Sequence, residues 1–420
     1  MKSFKTKLIA LSLVSSLALV GCNSDSGSDK SKDTSSKDTK TSEQIVLKFA
    51  AQNDNTPATK ALIDQFNKEN KKYDVKWVEM TNDSAQMHDQ LLNSLSSGSS
   101  EYDVMSLDVV WAGEFAGAGY LSPIDVNMQK DSLQKEDYNA GSMASGNYKG
   151  KQYTLPFFPD LGLLYFRKDI VSKEDAAKLE SGDYTYDDLY AMAQKYTGKN
   201  NTNIGFAYQS KQYEGLTVNL TEFTNSYKDV TGGLEMMRKF ATAKFTPKNI
   251  LNYMEGETHT AFEQGKAVFA RNWPYAFGRI KGKEDGVTVS VDNVGIAPLP
   301  NGGAVGGWLL SINKASKNAE GAWEFIKFAA GEEGQKIMST QGGYLPGYNA
   351  LLTNDEVKAA NAMLGYTGFQ NALKETIARP VSPDYSKVSD TIQVNAHKYL
   401  SSGTGLEDVA KKIEEATKAE

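Results

Sequence analysis

Strand-like and helix-like patterns alternate along the N-terminal part of the chain. Residues 45–50 form a short run rich in branched side chains, and residues 73–80 alternate between apolar and polar positions, as expected for strands. Residues 102–107 are predicted to form a third strand, and apolar residues recur at helical spacing between the strands, around 58–66 and 87–95. This β-α-β-α-β order predicts an α/β fold with a parallel sheet and right-handed crossovers.

The rest of the chain is less regular but still typical of a globular protein. A capping box at Thr404–Glu407 predicts the start of the last helix. Further predicted elements are helices over 187–196, 234–240, about 319–338 and 388–399, and a strand over 287–291. No low-complexity linker divides this region, so two domains within it would have to share several chain crossings.

Polar residues just beyond the predicted strands are the first candidates for a binding site. In open parallel sheets, ligands bind beyond the carboxyl ends of the strands. Gln52 and Asn53 follow the first strand, and Asp108 follows the third with Trp111 nearby. The strand pattern alone therefore predicts a site that includes these residues.

The N-terminus has the pattern of a secretory signal. Three lysines within the first seven residues precede an apolar stretch of 13 residues, Leu8–Val20, which is too short to span a bilayer comfortably. The stretch ends in Leu19-Val20-Gly21-Cys22, which resembles the lipobox of bacterial lipoproteins. That resemblance implies removal of residues 1–21 and lipidation of Cys22. The alternative is an unmodified thiol at the end of an ordinary secretory signal.

Residues 23–42 contain no aliphatic or aromatic side chain. Because such a segment has nothing to bury, ordering it would cost conformational entropy without compensation. We therefore expect residues 22–42 to comprise a lipidated cysteine and a flexible tether. Together they would hold the folded part at the outer face of the cell membrane.

Composition and motif content exclude several functional classes. The 420 residues include one cysteine and three histidines, too few for a disulfide scaffold or a Cys/His zinc cluster, so no metal or other cofactor is expected. The formal charge of −6 argues against nucleic acid as the main partner, since phosphate binding requires a cationic surface. The sequence also lacks the Gly-x-Ser-x-Gly, His-Glu-x-x-His and Walker-type phosphate-loop motifs.

Five motifs occur along the chain in a characteristic order. They are Tyr102–Trp111 with Gly119-Tyr120-Leu121, Leu155–Asp160 with Leu164–Asp169, Phe262–Ala267 with Arg271–Pro274, Gly306-Gly307-Trp308 before an Ala-Trp-Glu-Phe helix, and Arg379-Pro380 with Pro383 and Tyr385. Together they resemble the family 1 extracellular solute-binding proteins, the lipoprotein receptors of carbohydrate ABC importers. The resemblance covers nearly all of residues 43–420 and is strongest to the trehalose/maltose-binding group.

The resemblance implies a two-lobed α/β fold of the type II periplasmic binding-protein kind, with discontinuous lobes joined by hinge crossings. The expected crossings lie near 155–160, 306–313 and 340–346. The expected domains are a signal peptide at 1–21, the anchor and tether at 22–42, an N-terminal lobe of 43–156 and 313–343, and a C-terminal lobe of 157–312 and 344–420. With these boundaries, Asp108 and Asp160 come from different lobes.

The resemblance also implies which residues bind the sugar. Asp108 and Asp160 match acids that bind sugar hydroxyls, Trp273 and Trp308 match aromatic residues that line the cleft, and Arg379 matches an arginine there. The chemistry is suitable, because indole rings cover the apolar face of a sugar and carboxylates accept hydrogen bonds from its hydroxyls.

Three further positions are implied with a less direct role. Gln52 and Asn53 fall where the loop after the first strand supplies polar contacts. Gly307 lies among glycines that allow close approach of the backbone to the cleft. Phe158 stands where relatives often carry tyrosine, so a hydroxyl contact is expected to be lost.

Several of these candidates have a purely structural alternative. Asp108 could cap the helix that follows its strand, Asp160 could be a turn residue, and Arg379 could pair with a surface acid. Trp111 suits the protein core and the cleft equally well.

The sequence thus predicts a monomeric extracytoplasmic lipoprotein, not an enzyme, that is anchored to the membrane through Cys22. It would capture a disaccharide or oligosaccharide of the trehalose/maltose type and deliver it to the permease of an ABC importer. The alternatives are a glycosidase-like surface enzyme with two catalytic carboxylates and, less favoured, a surface adhesin. Turnover of labelled disaccharides would indicate an enzyme. Saturable binding without turnover would indicate a receptor, and the absence of both would indicate an adhesin.

Overall fold

Two β-sheets with surrounding helices organise the described part of the chain. The computed structural model describes residues 44–54, 56–380 and 382–418, so the predicted signal peptide, Cys22 and the tether lie outside the described residues. Within those ranges, no helix has both the length and the apolar character that crossing a bilayer requires.

The secondary structure consists of short strands and mostly short helices. The strands are β1 Ile45–Gln52, β2 Tyr73–Met80, β3 Val104–Asp108, β4 Asn147–Tyr148, β5 Lys151–Gln152, β6 Thr154–Leu161, β7 Leu163–Arg167, β8 Ile204–Ala207, β9 Ala267–Asn272, β10 Val294–Ala297, β11 Gly303–Ile312 and β12 Thr376–Ile377. The α-helices are α1 Ala58–Glu69, α2 Ser84–Ser96, α3 Trp111–Gly117, α4 Asp125–Lys130, α5 Ala140–Ser145, α6 Lys173–Ser181, α7 Tyr186–Tyr196, α8 Glu214–Phe223, α9 Val230–Ala241, α10 Glu255–Glu263, α11 Tyr275–Lys281, α12 Ala319–Ala330, α13 Glu332–Gly342, α14 Asp355–Ala360, α15 Thr367–Ala372, α16 Tyr385–Ser402 and α17 Leu406–Thr417.

The first sheet has the strand order β12-β11-β3-β1-β2, and β6 also pairs with β11. Strand β1 is parallel to β2 and β3, which confirms the predicted parallel β-α-β-α-β arrangement. Strand β11 runs antiparallel to both β3 and β6. Strands β3 and β6 therefore run in the same direction on the two sides of β11, and the carboxyl ends of β1, β3 and β6 lie along one edge.

Aromatic packing fixes the position of β1 within this sheet. Phe49 and the next residue, Ala50, point to opposite faces and are both fully buried, as expected for a central strand covered on both faces. The Phe49 ring packs edge-on against Phe325 of α12, with ring centroids 5.1 Å apart, and against Phe157 of β6 at 5.7 Å. These contacts hold α12 and β6 against β1.

The second sheet has the strand order β10-β7-β9-β8. Strand β7 is antiparallel to both β9 and β10, whereas β8 is parallel to β9. Its core is rich in aromatic residues, among them Phe206 and Phe240, whose ring centroids are 5.2 Å apart. Strand β9 ends at Asn272, which places Trp273 directly beyond the end of this sheet.

The chain passes between the two sheets at two adjacent places. Only Gly162 separates β6 from β7, and its N–H donates to the carbonyl oxygen of Ala304 at 3.1 Å. A Cβ atom on Gly303 would lie 2.1 Å from the carbonyl oxygen of Gly162, so the two passing segments are in direct backbone contact. The chain leaves the first sheet again after α13, since Leu345 packs into the core of the second sheet. The boundaries of the lobes stay a prediction.

The predicted strand over 287–291 is wrong. This segment is a loop, and the nearby strand is β10 at Val294–Ala297. The N–H groups of Thr288 and Val289 both donate to the carbonyl oxygen of Glu263, at 2.8 and 3.1 Å. The loop is therefore bonded to the end of α10 and not to a neighbouring strand.

Two predicted helix features also differ from the structure. The single helix predicted over about 319–338 is two helices, because the extended backbone of Gly331 (ψ 178°) interrupts it. The predicted capping box at Thr404 does not form, since Gly405 precedes α17 with a left-handed φ of 75° and the Thr404 hydroxyl donates to Ser402 Oγ at 3.2 Å. The predicted helices over 187–196, 234–240 and 388–399 are confirmed.

Replacing Gly307 with alanine should destabilise the protein more than replacing a glycine of similar backbone conformation in open space. Gly307 has a φ of 105°, and an added Cβ would lie 2.3 Å from the carbonyl oxygen of Phe158. Gly98 has a φ of 69° with no atom within 4 Å of an added Cβ, so Gly98→Ala measures backbone strain alone. We expect urea unfolding to show a loss of about 1 kcal/mol for Gly98→Ala and at least about 2 kcal/mol for Gly307→Ala. Equal losses would contradict the close approach of β6 and β11.

Candidate functional site

The carboxyl ends of three strands bring polar residues to one edge of the first sheet. Gln52 is the last residue of β1, Asp108 is the last of β3, and Asp160 is the last but one of β6. In the register of β11, Trp308 lies opposite Asp108, and Gly306 lies opposite Asp160. Two carboxylates and one indole are thus positioned by backbone pairing along a single strand, β11.

Asp108 and Asp160 both belong to the first sheet, because β6 stays paired with β11 as far as Leu161, beyond Asp160. For the same reason Asp160 is a strand residue and not the turn residue of the structural alternative. The assignment of the two residues to different lobes stays a prediction.

Burial dominates the electrostatics of the two carboxylates. It raises the pKa of Asp160 to about 7, the charge of Asp108 acts in the same direction, and the Leu161 N–H and Arg271 oppose the shift. Burial likewise raises the pKa of Asp108, although the positive charge of Arg379 opposes it. The only hydrogen bond that Asp160 makes within the described residues comes from the Leu161 N–H at 3.2 Å.

Asp108 bonds to the loop that follows it and does not cap a helix. Its Oδ1 atom accepts a hydrogen bond from the Val110 N–H at 3.2 Å, whereas α3 begins at Trp111 without a side-chain cap. The Trp111 side chain is buried, with 5% of the residue exposed, and meets the half-buried Trp308 edge-to-face at 5.5 Å. Trp111 thus belongs to the core and supports Trp308 from behind.

Trp273 comes from the second sheet but lies against the edge of the first. A Cβ on Gly306 would come 2.8 Å from Cζ3 of the Trp273 ring and 3.5 Å from Cβ of Asp160. The Trp273 ring, which is half-buried, is therefore next to Asp160. The Arg271 guanidinium lies over the ring, 4.0 Å from its centroid.

Arg379 contacts both α8 and the strands β3 and β11 of the first sheet. Its side chain is 4% exposed, and its Nη1 atom donates to Glu214 Oε1 at 2.7 Å. The Nη2 atom donates to the Val305 carbonyl oxygen at 3.2 Å and lies 3.6 Å from Asp108 Oδ1. The alternative of a surface ion pair is wrong, because this arginine is buried between acids from α8 and β3.

The two residues at the end of β1 differ in their availability. The Oε1 atom of Gln52 is buried and has no hydrogen-bond partner among the described residues. The Asn53 side chain instead donates to Glu79 on β2, and its backbone N–H donates to the Met80 carbonyl oxygen at 2.9 Å. Of the two, Gln52 has the buried polar atom without a partner among the described residues.

Asp54 and Tyr344 lie together near the end of β1, and no pattern in the sequence marks either residue. The ring of Tyr344 stacks on Phe158 with centroids 4.4 Å apart, and its hydroxyl donates to Asp54 Oδ1 at 2.9 Å. Burial alone would raise the pKa of Asp54, but hydrogen bonds from Thr59 and Thr56 more than offset it and lower the pKa. A tyrosine hydroxyl is thus present next to Phe158, where the sequence predicted the loss of one.

Acids and tyrosines on the second-sheet side also lie at the site, although among them only Tyr385 belongs to one of the sequence motifs. Glu214 accepts hydrogen bonds from Arg379 and, at 2.5 Å, from the hydroxyl of Tyr385. Tyr213 donates to Glu255 at 2.7 Å, and no sequence motif marks either residue. Tyr275, 42% exposed, follows Trp273-Pro274 directly, so the motif that identified Trp273 could have identified it.

A cavity of about 210 Å³ lies away from this site, around Val46, Lys48, Asp103 and Lys317, at the opposite ends of β1 and β3. The candidate site itself is defined by its residues and not by an enclosed cavity. Among the described residues, no group of three or more His, Cys, Asp or Glu side chains could hold a metal ion.

Comparison with known proteins relates this geometry to a family. The model of the family described as "Bacterial extracellular solute-binding protein" matches residues 50–336. A "Probable ABC transporter-binding protein" of Deinococcus radiodurans is 27% identical over 76% of this chain and 80% of its own length. A "Maltotriose-binding protein" of Pyrococcus abyssi is 28% identical over 73% of this chain and 67% of its own length.

Solved structures agree with the fold. The structure described as "Maltose bound T. maritima MalE3" has a TM-score of 0.74 and 27% identity, covering 89% of this chain and 99% of that chain. The GacH receptor of Streptomyces glaucescens, 22% identical, has a TM-score of 0.71 over 89% of this chain and 97% of its own. The chain thus has the two-lobed type II periplasmic binding-protein fold, and it belongs to the family of bacterial extracellular solute-binding proteins.

Proposed function

We propose that this chain is the substrate-binding component of a carbohydrate ABC importer and captures a disaccharide or oligosaccharide of the trehalose/maltose type. The observation that carries the proposal is that Trp273, from the second sheet, lies next to Asp160 of the first, on the edge where Asp108 and Trp308 also lie. A ligand bound there contacts both sheets at once.

The residue types suit a sugar. Each pyranose ring has an apolar face of C–H groups, which an indole ring covers with a gain of about 25 cal/mol per Å² of buried apolar surface. The hydroxyls at the ring edge donate to carboxylates such as Asp108 and Asp160, and charge-assisted hydrogen bonds are the stronger kind.

Unused polar atoms support the same proposal. Oε1 of Gln52, Nε of Arg379 and Nη1 of Arg271 are buried and have no partner among the described residues. Buried polar groups in folded proteins are normally hydrogen-bonded. Sugar hydroxyls both donate and accept hydrogen bonds, so one ligand suits the Gln52 acceptor and the arginine donors alike.

The relatives favour a maltose-type ligand. One relative is named a maltotriose-binding protein, and the MalE3 structure contains maltose. The site and these two relatives therefore support the proposed ligand class. Trehalose, maltose and longer maltodextrins all belong to this class, and small differences in a pocket decide among them.

Capture and delivery follow from the two-lobed fold. A ligand that contacts both lobes stabilises the closed arrangement, so binding shifts the population towards closure. The closed, monomeric protein would then dock on the permease of the importer. We place the protein outside the cytoplasm, attached to the membrane by lipid on Cys22.

A glycosidase-like enzyme is the second candidate, favoured by the pKa of Asp160. A carboxyl with a pKa of about 7 is suited to act as a general acid, with Asp108 as the second carboxylate. Mature protein incubated with labelled maltotriose separates the two functions. The receptor gives saturable binding and intact sugar, whereas released glucose or maltose would show that the protein is an enzyme.

Replacing Trp273 with alanine should weaken maltotriose binding about ten- to a hundredfold, because the loss of a buried aromatic surface costs roughly 1.5–3 kcal/mol. Trp77→Ala is the control, since Trp77 is also half-buried but lies in the middle of β2, opposite Phe49. Isothermal titration calorimetry of folded variants measures both affinities. Unchanged affinity in folded Trp273→Ala would place the sugar elsewhere.

Maltotriose affinity should rise with pH between about 6 and 8. Free Asp160 has a pKa of about 7, and donation by sugar hydroxyls favours its ionised form, so binding lowers this pKa and releases a proton. The rise should be at most about tenfold per pH unit, and Asp160→Asn should abolish it. Titrations in buffers of different ionisation enthalpy measure the released proton. A rise that persists in Asp160→Asn would assign the titration to another group.

Cys22→Ser should abolish labelling with radioactive palmitate and release the protein from the membrane or leave its signal peptide uncut. The reason is that the thiol of Cys22 is the proposed attachment point of the lipid. Lipid labelling equal to that of the wild type in this variant would disprove the anchor.

A further inference from the structure

We propose that Arg271 is a positioning residue, which with Glu222 fixes the orientation of the Trp273 ring and connects it to the place where the chain passes between the two sheets. The inference rests on the proposed role of Trp273 as a sugar-stacking surface. It assigns a further function to this buried ion pair, in addition to the Nη1 atom of Arg271 that the proposed function offers to the sugar.

Arg271 and Glu222 form a fully buried, two-pronged ion pair. Nε of Arg271 donates to Oε2 of Glu222 at 2.9 Å, and Nη2 donates to Oε1 at 2.6 Å. Each side chain is only 1% exposed. Burial of such a pair costs desolvation that often cancels its Coulombic gain, so stability alone does not account for it.

The guanidinium determines the position of the ring rather than that of the backbone. The backbone of Trp273 is already held by Tyr165, whose hydroxyl donates to the Trp273 carbonyl oxygen at 2.8 Å, and by Asn272, whose Oδ1 accepts from the Trp273 N–H at 2.8 Å. The Arg271 guanidinium lies 4.0 Å from the centroid of the ring. In a desolvated position such a cation–π contact favours one ring orientation over others.

The same ion pair lies directly on the chain crossing. Oε1 of Glu222 accepts a hydrogen bond from the Ala304 N–H at 3.1 Å, at the start of β11. A Cβ on Gly162, the residue between β6 and β7, would lie 2.0 Å from Glu222 Oε1 and 2.6 Å from Arg271 Nη2. Any rotation of one sheet relative to the other at this crossing therefore changes the surroundings of Glu222, and through it those of Arg271 and the ring.

One part of the guanidinium is not used by the ion pair. The Nη1 atom is buried and has no hydrogen-bond partner among the described residues. The charge of Glu255 raises the pKa of Arg271, and the charge of Arg271 in turn opposes the rise in the pKa of Asp160. The guanidinium thus acts electrostatically on the candidate site as well as on Glu222.

The test uses mature protein labelled with 5-fluorotryptophan and observed by ¹⁹F NMR. The chain has five tryptophans, and the Trp273 resonance is the one that disappears in Trp273→Phe. In ligand-free Arg271→Met, we expect this resonance to shift or broaden while the other four stay in place. Arg271→Lys, which keeps the charge but not the planar fork, should give a smaller change in the same resonance.

A matched control separates this effect from the loss of any ion pair. Arg279 also pairs with an acid, Glu263, at 2.7 Å, and Arg279→Met should leave the Trp273 resonance in place. Should Arg271→Met not fold, Glu222→Gln, which keeps the side-chain volume, should move the same resonance. In calorimetry, we expect maltotriose to bind about tenfold more weakly to Arg271→Met and with an intermediate affinity to Arg271→Lys.

The outcomes are distinguishable. An unmoved Trp273 resonance in folded Arg271→Met, or equal movement of all five resonances, would overturn the positioning role. If wild-type protein binds no maltotriose or other sugar, the proposed function fails, but the spectra of the ligand-free variants still decide whether Arg271 positions the ring.

Discussion

The candidate site depends on the pairing of β11 with β3 on one side and β6 on the other. This pairing aligns the ends of β3 and β6, which are far apart in sequence, and sets Asp108 opposite Trp308 and Asp160 opposite Gly306. It requires Gly307, whose φ of 105° and contact with the backbone of β6 leave no room for a side chain. The positions of the two carboxylates are thus a consequence of strand register, and the backbone holds them before any ligand arrives.

The second sheet completes the site with charge and aromatic surface. Arg271 and Arg379 are both buried, and each contacts an acid and one further group. Arg271 contacts Glu222 and the ring of Trp273. Arg379 contacts Glu214 and the backbone of the first sheet at Val305. Both arginines keep one nitrogen without a partner among the described residues. Fixed donors next to an aromatic surface are suited to a neutral ligand with many hydroxyls, since such a ligand completes the hydrogen bonding without adding charge.

Local patterns predicted the parallel strands of the first sheet and the polar residues at their ends, because strand periodicity and the rule of carboxyl ends depend on short segments. Strand β2 agrees with its prediction residue for residue, and Gln52 and Asp108 lie at the expected edge. Pairings between distant segments had no such signal. The hydrogen bond from Tyr344 to Asp54 joins residues 290 positions apart, and Glu214 meets Arg379 across 165 positions. The same limit explains why a turn was an alternative for Asp160, since only the register with β11 shows that it lies in a strand.

The central claim is that a sugar binds between the two sheets with Trp273 over its apolar face and its hydroxyls on Asp108 and Asp160. A crystal structure of the mature protein grown with maltotriose tests it most directly. The account predicts one intact sugar, with a ring stacked on Trp273 and hydroxyls within hydrogen-bond distance of both carboxylates. A sugar bound outside this edge of the first sheet, or a cleaved sugar in the site, would contradict it.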